Sequence, residues 1–173
     1  MKNIVIAAYK NVGKTTLAEK IIKETDRNIY GFFTRKFPDL ITDDGLVPIY
    51  IYPAGSNPII DKDHLIGYGG KGNHYTNAEI FDDAGVSYIT TDDPNGIIIM
   101  DELGFLERDA KKFQEKVFEC LAGPIPTIVM MKTKMREEFM QKLKDMPDIE
   151  YIFMTEENRD AVWAFIKDWL GSL

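Results

Sequence analysis

The sequence feature that most restricts the fold is the tripeptide Gly13-Lys14-Thr15, which lies between a short apolar run and a segment with helical periodicity. The apolar run, residues 3–8, is typical of a strand buried on both faces of a parallel sheet. Apolar residues from Leu17 to Ile22 then recur at helical spacing. A loop that joins a strand to a helix N-terminus presents backbone N–H groups to an anion. We therefore predict a phosphate-binding loop at residues 8–16.

This loop nearly follows the general pattern of triphosphate sites, in which Gly and four free positions precede Gly-Lys-Ser/Thr. Ala8 stands where the pattern has its first Gly, and its methyl group lies at the strand end, away from Gly13. We expect the loop to work, with Lys14 reaching the β- and γ-phosphates and the Thr15 hydroxyl on Mg²⁺. The predicted nucleotide-binding residues of the loop are Ala8, Tyr9, Lys10, Asn11, Val12, Gly13, Lys14, Thr15 and Thr16.

Two acidic residues end the strongest strand signal in the chain. Residues 96–100, Gly-Ile-Ile-Ile-Met, form a continuous apolar run that Asp101 and Glu102 follow. Because the carboxyl ends of neighbouring parallel strands share one edge of a sheet, we expect Asp101 to reach a Mg²⁺ held by Thr15. Glu102 is then placed to orient or deprotonate an attacking water. The alternative is a solvated strand end without a catalytic role.

The rest of the chain predicts strands that alternate with helices, which indicates an α/β fold with a mostly parallel sheet and helices on both faces. Strands are predicted at 29–34, 46–52, 126–131 and 149–154, and helices at 77–87, 106–121, 135–144 and the carboxyl end. A turn at Asp43-Asp44-Gly45 predicts an antiparallel hairpin. Residues 53–76, rich in Gly, Pro, Asn and Asp, are predicted to be a long loop. We expect one domain over residues 1–173.

Composition excludes several classes of protein. The chain has 21 basic and 28 acidic residues and a net charge of −7, which disfavours sequence-independent nucleic-acid binding. No apolar run approaches the ~20 residues of a membrane span, and the N-terminal run is predicted to be a strand rather than a signal sequence. We therefore expect a cytoplasmic protein. Cys120, the only cysteine, excludes an internal disulfide and is predicted to be a small core residue.

Other conspicuous residues have simple structural explanations. A dinucleotide fingerprint needs a preceding strand and a helix that opens within it, and neither is evident around Gly67, Gly69, Gly70 and Gly72. This segment is therefore predicted to be a plain loop or a mobile lid. His64 and His74 lack metal-ligand spacing and are predicted to be solvated. Trp163 and Trp169 are predicted to be core residues of the last helix.

Several motifs in this order carry a resemblance to a known family. They are the loop at 8–15 and the segments 31–35, 77–81, 101–107 and 155–160. The chain resembles, nearly end to end, the small P-loop nucleoside-triphosphatases of the thermophile type, which are related to the cancer-related nucleoside-triphosphatase. The resemblance implies Mg²⁺-dependent hydrolysis of ATP, GTP and other nucleotides to the diphosphate on a RecA-like core. It also implies that Arg35 lies near the phosphates and that Glu107 supports the acidic cluster.

Four further residues have competing interpretations. Arg35 could stabilise transition-state charge, since a guanidinium binds phosphate oxygens bidentately, or it could be a surface residue at a strand end. Lys132 ends a core strand on the same sheet edge and could lie near the site. Asn158 and Arg159 follow the last strand, where they could contact a nucleobase, with the arginine stacked on it. Asn158 could also cap the final helix.

These residues support a hydrolase in which Lys14, Glu102 and Arg35 are catalytic while Thr15 and Asp101 hold Mg²⁺. One alternative is a small kinase that passes the γ-phosphate to a nucleoside or metabolite under residues 53–76. In that case Glu102 or Glu107 would take the proton of the acceptor hydroxyl. The other alternative is a non-enzymatic module in which bound nucleotide switches an interface with an unknown protein partner.

Overall fold

The structure is a computed structural model that describes residues 3–70, 75–133 and 137–173. The strands are β1 (Asn3–Ala8), β2 (Asn28–Lys36), β3 (Val47–Pro53), β4 (Leu65–Gly69), β5 (Gly96–Leu103), β6 (Thr127–Lys132) and β7 (Ile149–Met154). They form one sheet in the order β4-β3-β2-β5-β6-β1-β7. The five strands from β2 to β7 in this order are parallel, and β3 pairs antiparallel with both of its neighbours. The predicted parallel sheet with an antiparallel addition is confirmed.

The helices cover both faces of this sheet. They are α1 (Lys14–Glu24), α2 (Ala78–Ile80), α3 (Val86–Tyr88), α4 (Lys111–Ala122), α5 (Glu137–Lys144) and α6 (Arg159–Gly171); a π-helical turn (Phe81–Gly85) joins α2 to α3. Ile4 and Ile6 of β1 pack in one apolar cluster with residues of α1 and α6. Val5, between them, packs in a second cluster with residues of α4 and α5. Successive side chains of a strand point to opposite faces, so β1 is buried from both sides, as its apolar run predicts.

The order of the strands places β6 between β1 and β5. The prediction that the phosphate loop after β1 and the acidic pair of β5 follow neighbouring strands is therefore wrong. All three strands are parallel, however, and their carboxyl ends form one edge. At that edge, the phosphate loop lies on one side of β6 and the acidic pair of β5 lies on the other, although the two are distant in sequence.

The predicted long loop at residues 53–76 is wrong in part, because it contains β4, which pairs with β3. Gly67 and Gly69 are strand residues rather than parts of a lid. A Cβ atom on Gly67 would overlap the backbone oxygen of Tyr75, and one on Gly69 would lie 2.6 Å from Lys36 Nζ. These glycines permit close packing, and they also hide the strand, since glycine disfavours β structure. Gly72 and His74 lie outside the described residues.

Two other expectations need correction. His64 is mostly buried rather than solvated: its ring nitrogens lie 2.6 Å from Asp61 Oδ1 and 2.8 Å from the Tyr88 hydroxyl. The helix predicted at 106–121 begins only at Lys111.

Cys120 is buried, as predicted, and burial raises the pKa of its thiol to about 11. Among the described residues, no helix is both long and apolar enough to cross a bilayer.

One glycine is required by the contact between two central strands. Gly31 of β2 pairs with Ile99 of β5 and has a φ of 115°, which residues with a side chain rarely adopt. A Cβ atom at this position would overlap the backbone of Ile99. The two strands can therefore approach this closely only because position 31 has no side chain.

Candidate active site

The phosphate loop runs from the end of β1 to the start of α1. Ala8 is fully buried in the apolar cluster beneath α1, so its extra methyl group is accommodated by packing. Asn11 and Gly13 have φ values of 66° and 109°, a region that favours glycine and tolerates asparagine. Gly13 has no side chain that could cap α1, and the first N–H groups of a helix lack intrahelical partners. These groups are available to an anion.

The remaining loop residues differ in exposure. Tyr9, Lys10, Asn11 and Thr16 are exposed, Thr15 is half-buried, and Val12 packs in the core. The exposed ring of Tyr9 makes an edge-to-face contact with Phe153 at the end of β7. The predicted loop residues thus divide into a buried set, which includes Ala8, Val12 and Lys14, and a set that faces solvent.

Lys14 is buried although it carries a charge. It is 6% exposed, and its Nζ donates hydrogen bonds to the carbonyl oxygens of Ala8, at 3.1 Å, and Tyr9, at 3.0 Å. Its third neighbour is Glu102, whose Oε2 lies 3.4 Å away. A buried ammonium needs such partners, and here they hold it inside the curve of the loop.

Asp101 is fully buried at the edge of the sheet. Arg35 Nη2 lies 2.7 Å from Asp101 Oδ2, yet neither carboxylate oxygen has a well-directed hydrogen bond from the described residues. Burial raises the pKa of Asp101, while Arg35 and the Thr15 hydroxyl lower it in part. A carboxylate has about four lone-pair positions, so Asp101 can accept a further ligand beside Arg35 and Thr15.

Arg35 is held against β5 rather than extended into solvent. Its Nη1 donates to the backbone oxygens of Thr34, at 2.9 Å, and Asp101, at 3.3 Å. Its guanidinium lies over the Phe33 ring, 4.3 Å from the centroid. The structure therefore places Arg35 beside Asp101.

Glu102 links two lysines from different elements. Its Oε1 lies 2.9 Å from Lys132 Nζ, and its Oε2 faces Lys14. Its backbone N–H donates to the Thr34 hydroxyl at 3.2 Å. Lys132 is thus part of the site, and we name Lys14, Arg35, Asp101, Glu102 and Lys132 the charged edge.

Glu107 lies beneath the charged edge in a turn after β5. The carboxylate accepts the Gly104 N–H at 2.7 Å, and the Glu107 backbone oxygen accepts the Ala110 N–H at 3.0 Å. This turn, rather than an early start of α4, occupies residues 104–110. Burial raises the pKa of Glu107 to about 7. Its side chain supports the turn that follows Glu102.

Additional basic residues surround the charged edge although the chain is acidic. Burial and the charges of Lys132 and Lys10 lower the pKa of Lys36, and Glu102 raises it in part. Three lysines from the loop, β2 and β6 therefore lie close enough to repel one another. An anion with several charges would relieve this repulsion.

A second feature adjoins the other side of the loop. A cavity of about 200 Å³ lies between α1 and α6, and we name it the α1–α6 cavity. Gly13, Thr16, Arg159 and Trp163 contribute to its walls. Trp163 is only half-buried, so the prediction of a plain core residue is incomplete, whereas Trp169 is buried as predicted.

Asn158 and Arg159 have different surroundings. Asn158 Oδ1 accepts the Thr155 N–H at 2.8 Å, and its Nδ2 donates to the Phe153 oxygen at 2.9 Å. Its side chain therefore closes the turn after β7 and does not cap α6, at whose start it lies. Arg159 is exposed and lines the α1–α6 cavity.

Residues 3–167 match the family model described as NTPase. The chain belongs to this NTPase family. It is 30% identical over 173 residues to the nucleoside-triphosphatase THEP1 of Methanocaldococcus jannaschii, with 94% of each chain covered. It is 24% identical over 166 residues to the nucleoside-triphosphatase THEP1 of Aquifex aeolicus, with 92% of this chain and 93% of that one covered.

The fold of this NTPase is also similar to a solved structure. The crystal structure of THEP1 from the hyperthermophile Aquifex aeolicus superposes with a TM-score of 0.76 over 97% of this chain and 98% of that chain, at 22% identity. This similarity concerns the fold. With the family match, it confirms the predicted P-loop α/β class.

The donor set of the NTPase suits Mg²⁺. No cluster of three or more His, Cys, Asp or Glu groups that could hold a metal occurs in residues 3–70, 75–133 and 137–173. Mg²⁺ is commonly held by one or two carboxylates together with substrate phosphates and water. The Asp101 carboxylate, which has lone pairs beyond its contact with Arg35, and the nearby Thr15 hydroxyl fit that requirement.

Sequence reasoning gave too little weight to three residues that surround the phosphate loop and the charged edge. Lys132 and Lys36 end strands, where lysine is usually solvated, and only the order of the strands brings them to Glu102 or to each other. Trp163 has the spacing of a core residue in α6. The position of α6 against α1 exposes part of its ring, and no local pattern reports that packing.

Proposed function

We propose that this chain hydrolyses nucleoside 5′-triphosphates, ATP and GTP among them, to the diphosphate and phosphate in a Mg²⁺-dependent reaction. The observation that carries the proposal is the convergence of the charged edge on the phosphate loop. Glu102 lies 3.4 Å from Lys14 and 2.9 Å from Lys132, and Arg35 lies 2.7 Å from Asp101. Phosphoryl transfer depends mainly on positioning and charge stabilisation, and this edge supplies both.

The loop and the basic side chains would hold the phosphates. The N–H groups at the start of α1 point along the helix dipole, which favours negative charge. Lys14, already inside the loop, needs only to exchange the Glu102 carboxylate for β- and γ-phosphate oxygens. Arg35 lies beside Asp101 and can meet the γ-phosphate as charge develops on it.

Thr15 and Asp101 would hold the metal. When bound there, Mg²⁺ would supply positive charge that neutralises part of the phosphate charge. Asp101 contributes a carboxylate whose oxygens have no well-directed donor among the described residues. The half-buried Thr15 contributes a hydroxyl that is close enough to lower the pKa of Asp101.

Glu102 would position and deprotonate the attacking water. Its carboxylate is 22% exposed, so water can reach it. Lys132 and the backbone contact to Thr34 fix the residue from two sides. When Lys14 turns to the phosphates, Lys132 remains as the partner that holds the carboxylate in place.

The test is phosphate release from ATP, GTP, CTP and UTP with Mg²⁺ and no acceptor, for the wild type beside Lys14→Ala. We expect release by the wild type and its loss, by about a thousandfold, in the variant. Lys23→Ala, in the last turn of the same helix, is the matched control and should retain activity. Release that survives Lys14→Ala contradicts the proposed site. Nucleotide binding without release contradicts hydrolysis and favours the kinase or the switch.

A further inference from the structure

The Arg35 guanidinium is fixed in the free protein by contacts with two neighbouring strands. Its Nη2 lies 2.7 Å from Asp101 Oδ2, and its Nη1 donates to the backbone oxygens of Thr34 and Asp101. The Phe33 ring supports the group from one side, with its centroid 4.3 Å from the guanidinium carbon. These contacts hold Arg35 against β5 before any phosphate is present.

The ion-pair partner of Arg35 is the carboxylate that is proposed to hold the metal. The side chain of Asp101 is 1% exposed and that of Arg35 is 20% exposed, so water screens the attraction between them only weakly. The guanidinium therefore compensates much of the negative charge of Asp101. A second cation at the same carboxylate gains less attraction from it and is also repelled by the guanidinium.

The neighbouring ion pair of the charged edge has the same form. Lys14 Nζ, which is proposed to bind phosphate, lies 3.4 Å from Glu102 Oε2. In the free protein, two cations that would hold phosphates are thus paired with the two carboxylates that would act on metal and water. Phosphate oxygens can replace a carboxylate as the partner of a guanidinium. A bound triphosphate would therefore release the carboxylates for their own roles.

Resting on the proposed function, we propose that Arg35 couples the binding of the divalent cation to the binding of the nucleotide. In the free protein, the guanidinium compensates Asp101 and lowers the affinity of the site for the cation alone. When a triphosphate is bound, Arg35 pairs with its oxygens, and the full charge of Asp101 becomes available. The site thus selects the complex of cation and nucleotide over the free cation. Because coupling is reciprocal, the cation strengthens nucleotide binding by the same factor.

Binding of the metal alone gives the first test. Mn²⁺ is a suitable probe, since it prefers oxygen ligands as Mg²⁺ does and its free concentration can be measured by electron paramagnetic resonance. Arg35→Gln should bind Mn²⁺ about tenfold more tightly than the wild type, because the competing charge is absent. Arg35→Lys, which keeps a positive charge at this position, should bind Mn²⁺ more weakly than Arg35→Gln.

Two further variants show where the metal binds. Adding Asp101→Asn to Arg35→Gln should abolish the gain in Mn²⁺ affinity, because the carboxylate that attracts the cation is gone. Arg27→Gln is the matched control, since Arg27 donates to the backbone oxygens of Pro94, at 3.1 Å, and Leu173, at 2.6 Å, and lies outside the charged edge. This variant should bind Mn²⁺ like the wild type.

A second titration measures the coupling itself. The protein is first saturated with the β,γ-imido analogue of ATP, which resists hydrolysis. The increase in Mn²⁺ affinity that the analogue produces should be about tenfold smaller in Arg35→Gln than in the wild type.

Stability is followed in the same samples, because the neutral variant leaves Asp101 without its ion-pair partner. Mn²⁺ alone should raise the melting temperature of Arg35→Gln more than that of the wild type. If Arg35→Gln does not fold, Arg35→Met, whose unbranched side chain can still pack on Phe33, replaces it with the same expected results.

The results separate this inference from the proposed function. Equal affinity of the wild type and Arg35→Gln for Mn²⁺ alone, or a gain that persists after Asp101→Asn is added, overturns the coupling and leaves hydrolysis intact. Reduced coupling in Arg35→Gln, in a protein that releases no phosphate, supports the role of Arg35 and contradicts hydrolysis. If Mn²⁺ binds to no variant even with the analogue, the metal role of Asp101 and the coupling fail together.

Discussion

The two sides of the phosphate loop differ in the contacts that build them. On the charged edge, each side chain faces an opposite charge from another element, at 2.7 to 3.4 Å. In the α1–α6 cavity, an apolar floor and one aromatic ring lie beneath exposed polar groups. The first arrangement suits the stabilisation of changing charge, and the second suits the binding of an unchanging group. Substitutions on the two sides should therefore change different kinetic constants.

The largest effect is expected for Asp101→Asn on the charged edge. The amide keeps the size of the side chain but removes the charge that would hold Mg²⁺, so kcat should fall about a thousandfold. Activity is measured across a Mg²⁺ titration, in which the variant should need more metal. Thermal unfolding is the control for stability, because this substitution also removes the ion-pair partner of Arg35. Normal activity in a folded variant contradicts the metal role of Asp101.

Glu102→Gln should lower kcat about a hundredfold, because the amide cannot take a proton from water. KM for ATP should change little, since the residue is proposed to act on water rather than on the phosphates. Steady-state phosphate release gives both constants. Unchanged turnover would show that the assigned hydrolytic role is wrong.

Glu107→Gln tests the support of the charged edge through stability. The folded pKa is raised from 4.5 to about 7, so the folded protein keeps a proton that the unfolded chain has released. Stability therefore falls as pH rises through this window. Gln can still accept the Gly104 N–H and cannot ionise, so its advantage over wild type should grow by about 3 kcal/mol between about pH 4 and about pH 8.

Urea unfolding at several pH values gives this difference. The exposed Glu119→Gln on α4 is the control for the removal of one acidic side chain. A constant difference between Glu107→Gln and wild type would mean that Glu107 does not titrate within the folded protein.

Lys132→Ala should lower kcat about tenfold through the loss of the contact that holds Glu102. Lys132→Arg, which keeps a charge near Glu102, should recover part of the rate. The pH dependence of kcat distinguishes positioning from general destabilisation. A merely structural Lys132 would lower the melting temperature and leave the shape of that profile unchanged.

The smallest effect is expected on the cavity side. Arg159→Ala should raise KM for ATP about fivefold and leave kcat unchanged, because Arg159 is proposed to contact the base and not the reacting phosphate. Steady-state kinetics with ATP and with inorganic tripolyphosphate, which has no base, separates contact with the base from contact with the phosphates. A similar change with tripolyphosphate would assign Arg159 to the charged edge and remove the contrast between the two sides.

The central strands were predictable because burial on both faces leaves a continuous apolar run, as in residues 3–8 and 96–100. β4 was not, because Gly67 and Gly69 are placed there by close contacts with Tyr75 and Lys36, which no short sequence pattern reports. The start of α4 was also missed. Leu106 and Ala110 keep helical spacing, but the buried Glu107 binds Gly104 and stabilises a turn instead.

The site divides in the same way. Local motifs at strand ends include Lys14, Thr15 and Asp101, so the sequence alone predicts them. Lys132 depends on β6 lying between β1 and β5, and Trp163 depends on how α6 packs against α1. Both are consequences of tertiary packing, which no short motif encodes.

Gly31 illustrates how far such packing reaches. It is buried where β2 meets β5, and a side chain there would separate the strand that carries Thr34 and Arg35 from the strand that carries Asp101 and Glu102. In a screen of random variants, position 31 would be recovered as intolerant although it touches no reacting group. Because position 31 has no side chain, β2 and β5 can pair closely, and the residues that the two strands carry lie within contact distance of one another.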